Sequence, residues 1–340
     1  IFEVPTGVVA DTVGRRASYL LCTAILFVAT LLYVWLGEVQ AGLPAFMLAS
    51  ILLGLGYTFF TGAVEAWMYD ALGYVGYRGR VDVVFARGAM TMGAAMLVGA
   101  VSGGLLGQID LAIPYVARAV LLVPAALLGF LLMHDLGFVP RRFRLSRLGE
   151  ETRTIAMAGI QLGVRNEVVR PLMIAGLVKG AFFMYGYYSW QRYFLDLLGR
   201  DLVWVNGIIA GLIGLSAIAV ADIVGPLSKT RLRRSTIVFM MVAVQSVAVV
   251  AAALAQAFWV AVPLYLVSTL AYGIQQPVRQ AWLNAHIPSA QRATVISIDA
   301  MFLETGGAAG QVGLGYLSRA ASIPAAWVVG GSLQLLALPF

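Results

Sequence analysis

The chain has 340 residues, of which 61% are hydrophobic and only 11% charged, with a mean hydropathy of +0.87. Soluble domains carry about 25% charged residues, so this composition excludes a soluble globular protein and predicts an all-α polytopic membrane protein. The net charge of +7 does not point to nucleic acid, because Lys and Arg are scattered through short loops between apolar runs rather than gathered on one face.

A bilayer core about 30 Å thick needs roughly 20 apolar residues per helix. On that rule the spans fall at 1–10, 17–37, 45–70, 83–107, 111–134, 171–198, 203–226, 235–256, 259–284, 294–318 and 324–340. The chain opens inside a motif and stops inside an apolar run, so it is read as a fragment that lacks a first helix and part of the second. The basic residues choose alternate loops: Arg15 and Arg16, Arg78 and Arg80, the cluster from Arg141 to Arg165, Lys229 to Arg234, and Arg292. An excess of Lys and Arg marks the cytoplasmic side, which orients the chain.

The first polar turn, Gly7-Val-Val-Ala-Asp11-Thr-Val-Gly14-Arg15-Arg16, has a second copy in Gly225-Pro-Leu-Ser-Lys229-Thr-Arg-Leu-Arg233-Arg234. Glu65-Ala-Trp67 likewise matches Gln280-Ala-Trp282, and Arg80 matches Arg292. Repetition at nearly constant offset predicts two pseudo-symmetric six-helix bundles related by an axis along the membrane normal. The domains are then 1–134, an incomplete N-terminal bundle, 135–170, a cytoplasmic central loop, and 171–340, the C-terminal bundle. The basic central loop reads either as a helix lying on the anionic inner leaflet or as a solvated linker.

The single cysteine, Cys22, lies in an apolar run and reads as a small buried hydrophobe. His134 and His286 are too far apart in sequence to suggest a metal site, so neither metal nor other cofactor is expected.

Gly7-x-x-x-Asp11-x-x-Gly14-Arg15-Arg16 resembles the signature loop between the second and third helices of the major facilitator superfamily. Glu3-Val-Pro5-Thr-Gly7, Gly62-Ala-Val-Glu65-Ala-Trp67-Met-Tyr69-Asp70 and Arg292-Ala-Thr-Val-Ile-Ser297 are similar to patterns of its bacterial branch, including drug-efflux-like members. The resemblance spans essentially the whole chain. It implies a secondary transporter working by alternating access, with Gly7, Asp11, Gly14, Arg15 and Arg16 as a gating clasp at the cytoplasmic face. In the second copy Lys229 replaces the acid and Leu232 the second glycine, so that copy is not assigned the role. Gly99-x-x-x-Gly103-Gly104-x-x-Gly107 keeps the glycine spacing of the family's antiporter element but has Gly104 where that element has proline. Small-residue helix packing explains it equally well.

Ionisable residues within a span cost roughly 2.5–3.5 kcal/mol each on insertion scales, so they usually face a cavity and a partner. Glu65 is the foremost candidate for proton coupling, with Glu3, Asp299 and Glu304 beside it. For Glu65 a structural ion pair with Arg80 or Arg87 is the competing reading, and the repeat register aligns Asp299 with Arg87 as a further pair. Lys179 and Arg279 fall in spans that line the cavity by resemblance, and suggest an anionic group on the substrate or an internal partner for Glu65. In the aromatic run from Phe182 to Phe194, Tyr185, Tyr188 and Gln191 are cavity candidates, while Trp190, Tyr193 and Phe194 read as an interfacial belt. Gln275 and Gln276, beside Pro277, complete the cavity set.

No Gly-x-x-x-x-Gly-Lys-Ser/Thr is present to bind ATP, and no nucleophile and base or paired metal ligands have the spacing of an enzyme. The expectation is a proton-coupled exporter of small organic molecules, monomeric, in a bacterial inner membrane. An uptake symporter or uniporter for sugars or organic acids, and a non-transporting receptor on the same fold, are the alternatives.

Overall fold

The structure is a computed structural model that describes residues 6, 9–10, 12–60, 63–79, 81–138, 167, 169–199, 202–228, 230, 232–286 and 292–336, except for some side chains within helices. Among these residues every regular element is a helix. In chain order they are α1 (Arg15–Glu38), α2 (Leu43–Phe60), α3 (Ala63–Tyr74), α4 (Val81–Ile109), α5 (Ile113–Leu132), α6 (Val169–Leu198), α7 (Trp204–Ser228), α8 (Arg234–Leu254), α9 (Phe258–Ala285), α10 (Arg292–Ala320) and α11 (Ile323–Leu335). Their bounds follow the apolar runs closely, and the run at 45–70 appears as α2 and α3 on either side of residues 61–62.

Among the described residues six segments are long and apolar enough to cross a membrane: Arg15–Glu38, Leu43–Tyr74, Met90–Ile109, Ile113–Leu132, Arg234–Leu254 and Phe258–Leu283. The long helices α6 and α10 are not among them. Each carries charges and amides inside its run, Lys179, Gln191 and Arg192 in α6 and Asp299, Glu304 and Gln311 in α10. The two helices meet each other through their backbones. A Cβ at Gly180 would overlap the Leu303 carbonyl, one at Gly306 the Leu177 carbonyl, and one at Gly310 the Ala181 backbone. Between helices in lipid, close approach through small residues supplies the van der Waals contact that a hydrophobic driving force cannot.

The chain divides into two compact units, one of residues 1–95 and 102–152, the other of 96–101 and 153–340. In the first, α1 packs on α2, α5 and α3. Its buried positions Ser18, Cys22, Leu26, Ala29 and Thr30 recur at helical spacing along one face. Ser18 Oγ donates to the Phe59 carbonyl at 2.8 Å, and Thr30 Oγ1 to the Leu26 carbonyl at 2.6 Å, so these hydroxyls are satisfied without water. Cys22 is buried, in agreement with its reading as a small hydrophobe.

In the second unit α6 packs on α10, α11 and α9, and α8 joins α9 to α11. Its core is aromatic: Phe182, Trp190, Tyr193, Phe194, Phe258, Tyr265 and Trp327. Trp327 Nε1 donates to Ser189 Oγ at 2.8 Å, and the Tyr193 hydroxyl donates to the Ala252 carbonyl at 2.8 Å. This corrects the expected aromatic belt. Trp190, Tyr193 and Phe194 are 4%, 3% and 1% exposed, because the C-terminal end of α6 turns them inward against Trp327 and Tyr265.

Candidate functional site

Two arrangements of polar side chains stand out, one in each unit, and each is built from residues at apolar depth or at a helix end.

The arrangement in the second unit centres on Lys179, which is buried on α6. Its Nζ donates to Gln275 Oε1 on α9 at 2.9 Å. Gln275 is fully buried, and its Nε2 donates in turn to Gln245 Oε1 on α8 at 2.7 Å. The amide is thereby oriented with its carbonyl toward the ammonium, because its donor end is already committed. Lys179 Nζ also lies 5.5 Å from the Tyr272 ring centroid, within reach of a cation–π attraction. Tyr272 accepts a hydrogen bond from Gln276 Nε2 at 2.6 Å and stacks on Phe183 at 4.5 Å between centroids.

Beside it lies a closed ion pair. Arg279 on α9 donates to both carboxylate oxygens of Asp299 on α10, at 2.7 and 2.6 Å, and a further N–H reaches the Leu172 carbonyl at 2.7 Å. Both residues are buried. Gly176 makes room for the pair, since a Cβ there would stand 3.1 Å from Arg279 Nη2. Among the described residues Asp299 is therefore paired with Arg279, a different partner from the Arg87 that the repeat register suggests. Sequence position alone had aligned Asp299 with its counterpart, whereas the bidentate fork is satisfied within one unit.

In the first unit the signature loop is tied to its own bundle. Asp135 Oδ1 accepts from the backbone N–H of Arg16 at 3.0 Å, which caps the N-terminus of α1 with a carboxylate three residues beyond the end of α5. Gly14 just precedes that helix at φ +131°, a backbone angle that favours glycine, and a Cβ there would overlap the Asp135 carboxylate. Arg16 Nη2 donates to the Phe130 carbonyl, and Arg15 Nε lies 4.0 Å from Asp70 Oδ2 on α3. Trp67 Nε1 donates to the His134 carbonyl at 2.7 Å. Replacing Asp135 with Ala is expected to destabilise the protein by about 1 kcal/mol through loss of this cap, read as a lower thermal midpoint in detergent.

The remaining sequence candidates are scattered. Glu65 lies on α3 and is exposed, with no ion pair or hydrogen bond among the described residues. Arg87 and Glu304 are exposed as well. Tyr185 is buried, with no hydrogen-bond partner for its hydroxyl among the described residues, whereas Tyr188 and Gln191 are exposed. Gly99, Gly103, Gly104 and Gly107 all lie on α4; among the described residues nothing stands within 4 Å of a Cβ built at Gly99 or Gly103, so those two are not closely packed. Glu3, Gly7, Asp11 and Arg80 lie outside the described residues.

Sequence reasoning missed Gln245 and Asp135. A lone amide in the apolar run of α8 was a signal for the first; Asp135, at a loop edge, carried none. No group of three or more His, Cys, Asp or Glu positioned for a metal occurs among the described residues.

The sequence model of the Major Facilitator Superfamily matches residues 1–311. The chain is 28% identical to the tetracycline resistance protein, class G, of Vibrio anguillarum, across 100% of this chain and 83% of that one. Among solved structures, the nucleoside transporter NupG superposes with a TM-score of 0.75 at 14% identity, over 99% of this chain and 85% of that one. A POT family transporter in complex with 5-aminolevulinic acid gives 0.75 at 13% identity, over 99% and 83%. The likeness to these solved structures establishes the fold, which the chain shares over 99% of its length. With more than nine-tenths of its length matched by one family, the chain belongs to the major facilitator superfamily.

Proposed function

We propose that this transporter exports small organic molecules in exchange for protons, each chain working as a monomer by alternating access in a bacterial inner membrane, with Glu65 as the proton carrier. The observation that carries this reading is the contrast between two carboxylates. Asp299 is held by both arms of Arg279, so protonating it breaks a bidentate pair, whereas Glu65 has no described partner to lose. A carrier must load and release its proton within one cycle, and a carboxylate that gives up no described ion pair does so with little rearrangement. Glu304, also exposed and without an ion pair or hydrogen bond among the described residues, is the second candidate. Outward direction is supported by the resistance named for the Vibrio relative and by the partial glycine pattern of α4. The clasp assigned to Gly7, Asp11, Gly14, Arg15 and Arg16 belongs to the same reading.

The test uses the full chain in inverted membrane vesicles with an acidified interior and a panel of organic acids, sugars and lipophilic cations. A compound that dissipates the pH gradient with the unaltered protein, but at most about a hundredth as fast with Glu65→Gln, supports the reading. Undiminished proton movement in Glu65→Gln would remove Glu65, and a compound that accumulates without moving protons would leave a uniporter or a transporter driven by another ion.

A further inference from the structure

We propose that Lys179 is the anion-binding residue of the substrate site, and that the substrates are aromatic organic acids whose carboxylate meets Lys179 while their ring lies along Tyr272, Phe183 and Tyr187. This rests on the reading of the chain as a transporter of small organic molecules.

Burying an ammonium carries a desolvation penalty of several kcal/mol unless an opposite charge or a full set of acceptors offsets it. Arg279 and Asp299 neutralise each other, and Arg279 spends its remaining described contact on the Leu172 carbonyl. Lys179, 4% exposed, has the neutral carbonyl of Gln275 as its hydrogen-bond partner among the described residues, and the face of Tyr272 beside it. An ammonium has three N–H donors, of which one is committed among the described residues. The Gln275 amide cannot turn to serve as anything but an acceptor, since Gln245 holds its other end. Two carboxylates act on this cluster at a distance, Asp299 on Lys179 and Glu304 on Tyr272, but Asp299 is held by both arms of Arg279 and neither forms an ion pair with the ammonium among the described residues; a ligand carboxylate supplies that pairing.

The aromatic part of the proposal follows from the helical register. Lys179, Phe183 and Tyr187 are four residues apart on α6 and share a face. Phe183 stacks on Tyr272 at an interplanar angle of 13° and stands 6.5 Å from Tyr187. Exposure rises along this face, from buried Lys179 through half-buried Phe183 to Tyr187 at 58%. Eight residues of helix span about 12 Å, the length of a carboxylate attached to one or two fused rings. Aromatic side chains offer offset stacking to such rings, and the cation sits at the inner, desolvated end where a charge pair is strongest.

The experiment is isothermal titration of the full chain in detergent with 1-naphthoate and with 1-naphthamide, which keeps the rings and removes the charge. Saturable binding of naphthoate at least tenfold tighter than naphthamide is expected. Lys179→Gln should weaken naphthoate by tenfold or more and leave naphthamide unchanged, while Lys179→Arg should stay within about threefold of the unaltered protein. Equal binding of the two compounds, no saturable binding of naphthoate, or unchanged naphthoate affinity in Lys179→Gln would overturn the proposal. The comparison of the two ligands on the unaltered protein holds even if Lys179→Gln fails to fold. Binding needs no gradient, so naphthoate binding without proton-linked flux would sink the export reading alone, and proton-linked flux of other compounds without naphthoate binding would sink this one alone.

Discussion

Replacing Arg279 with Met is expected to destabilise the protein by about 3–5 kcal/mol, because it leaves the Asp299 carboxylate buried without its partner. The loss should appear as a fall of many degrees in the thermal midpoint of the detergent-solubilised protein, or as failure to accumulate in the membrane. The paired change Arg279→Met with Asp299→Leu should recover most of that loss, since removing both charges removes the desolvation penalty along with the attraction. A double variant no more stable than Arg279→Met would mean that the pair does more than neutralise itself, for instance by holding α6 through the Leu172 carbonyl. Asp299→Asn should be milder than Arg279→Met, because the neutral amide still offers a carbonyl to the guanidinium.

Gly306→Leu should be comparably damaging for a different reason. A Cβ at Gly306 would overlap the Leu177 carbonyl, and backbone, unlike the end of a flexible side chain, cannot swing aside. The helices α6 and α10 would have to separate along a seam that also includes Gly180 and Gly310. Overpacking typically destabilises by about 1–3 kcal/mol and occasionally by more, and here separation also draws Asp299 on α10 away from Arg279 on α9. Gly313→Leu on the same helix is the control: nothing lies within 4 Å of a Cβ built there, so its thermal midpoint should change little. Equal midpoints for the two variants would show that the seam is not closely packed in the protein.

How far the site could be read from residues alone differs from one residue to the next. Lys179, Gln275, Arg279 and Asp299 were all conspicuous as polar groups in apolar runs, and the structure gathers all four in one unit. Their sorting into an open cation and a closed pair was not legible, because Arg279 and Lys179 are equivalent as charges in a span. Only the bidentate approach of Asp299 separates them. Tyr185, Tyr188 and Trp190 show the same limit in aromatic chemistry. One helical run presented them together, yet Tyr188 faces outward while Tyr185 and Trp190 enter the core.

By itself the sequence determined that this protein lives in a bilayer, where its helices run, and that it shares its signature loop with the major facilitator superfamily. Those properties depend on local composition: backbone polar groups in hydrocarbon must be satisfied within the segment, so a run of apolar residues of sufficient length has one solution. Tertiary structure alone decided that Asp135 caps α1, that Asp299 closes on Arg279, and that Lys179 meets an amide and an aromatic face. Each of those outcomes joins residues 20 to 119 positions apart, and such partners are chosen by which helix faces pack together, a property that no single stretch of the chain contains.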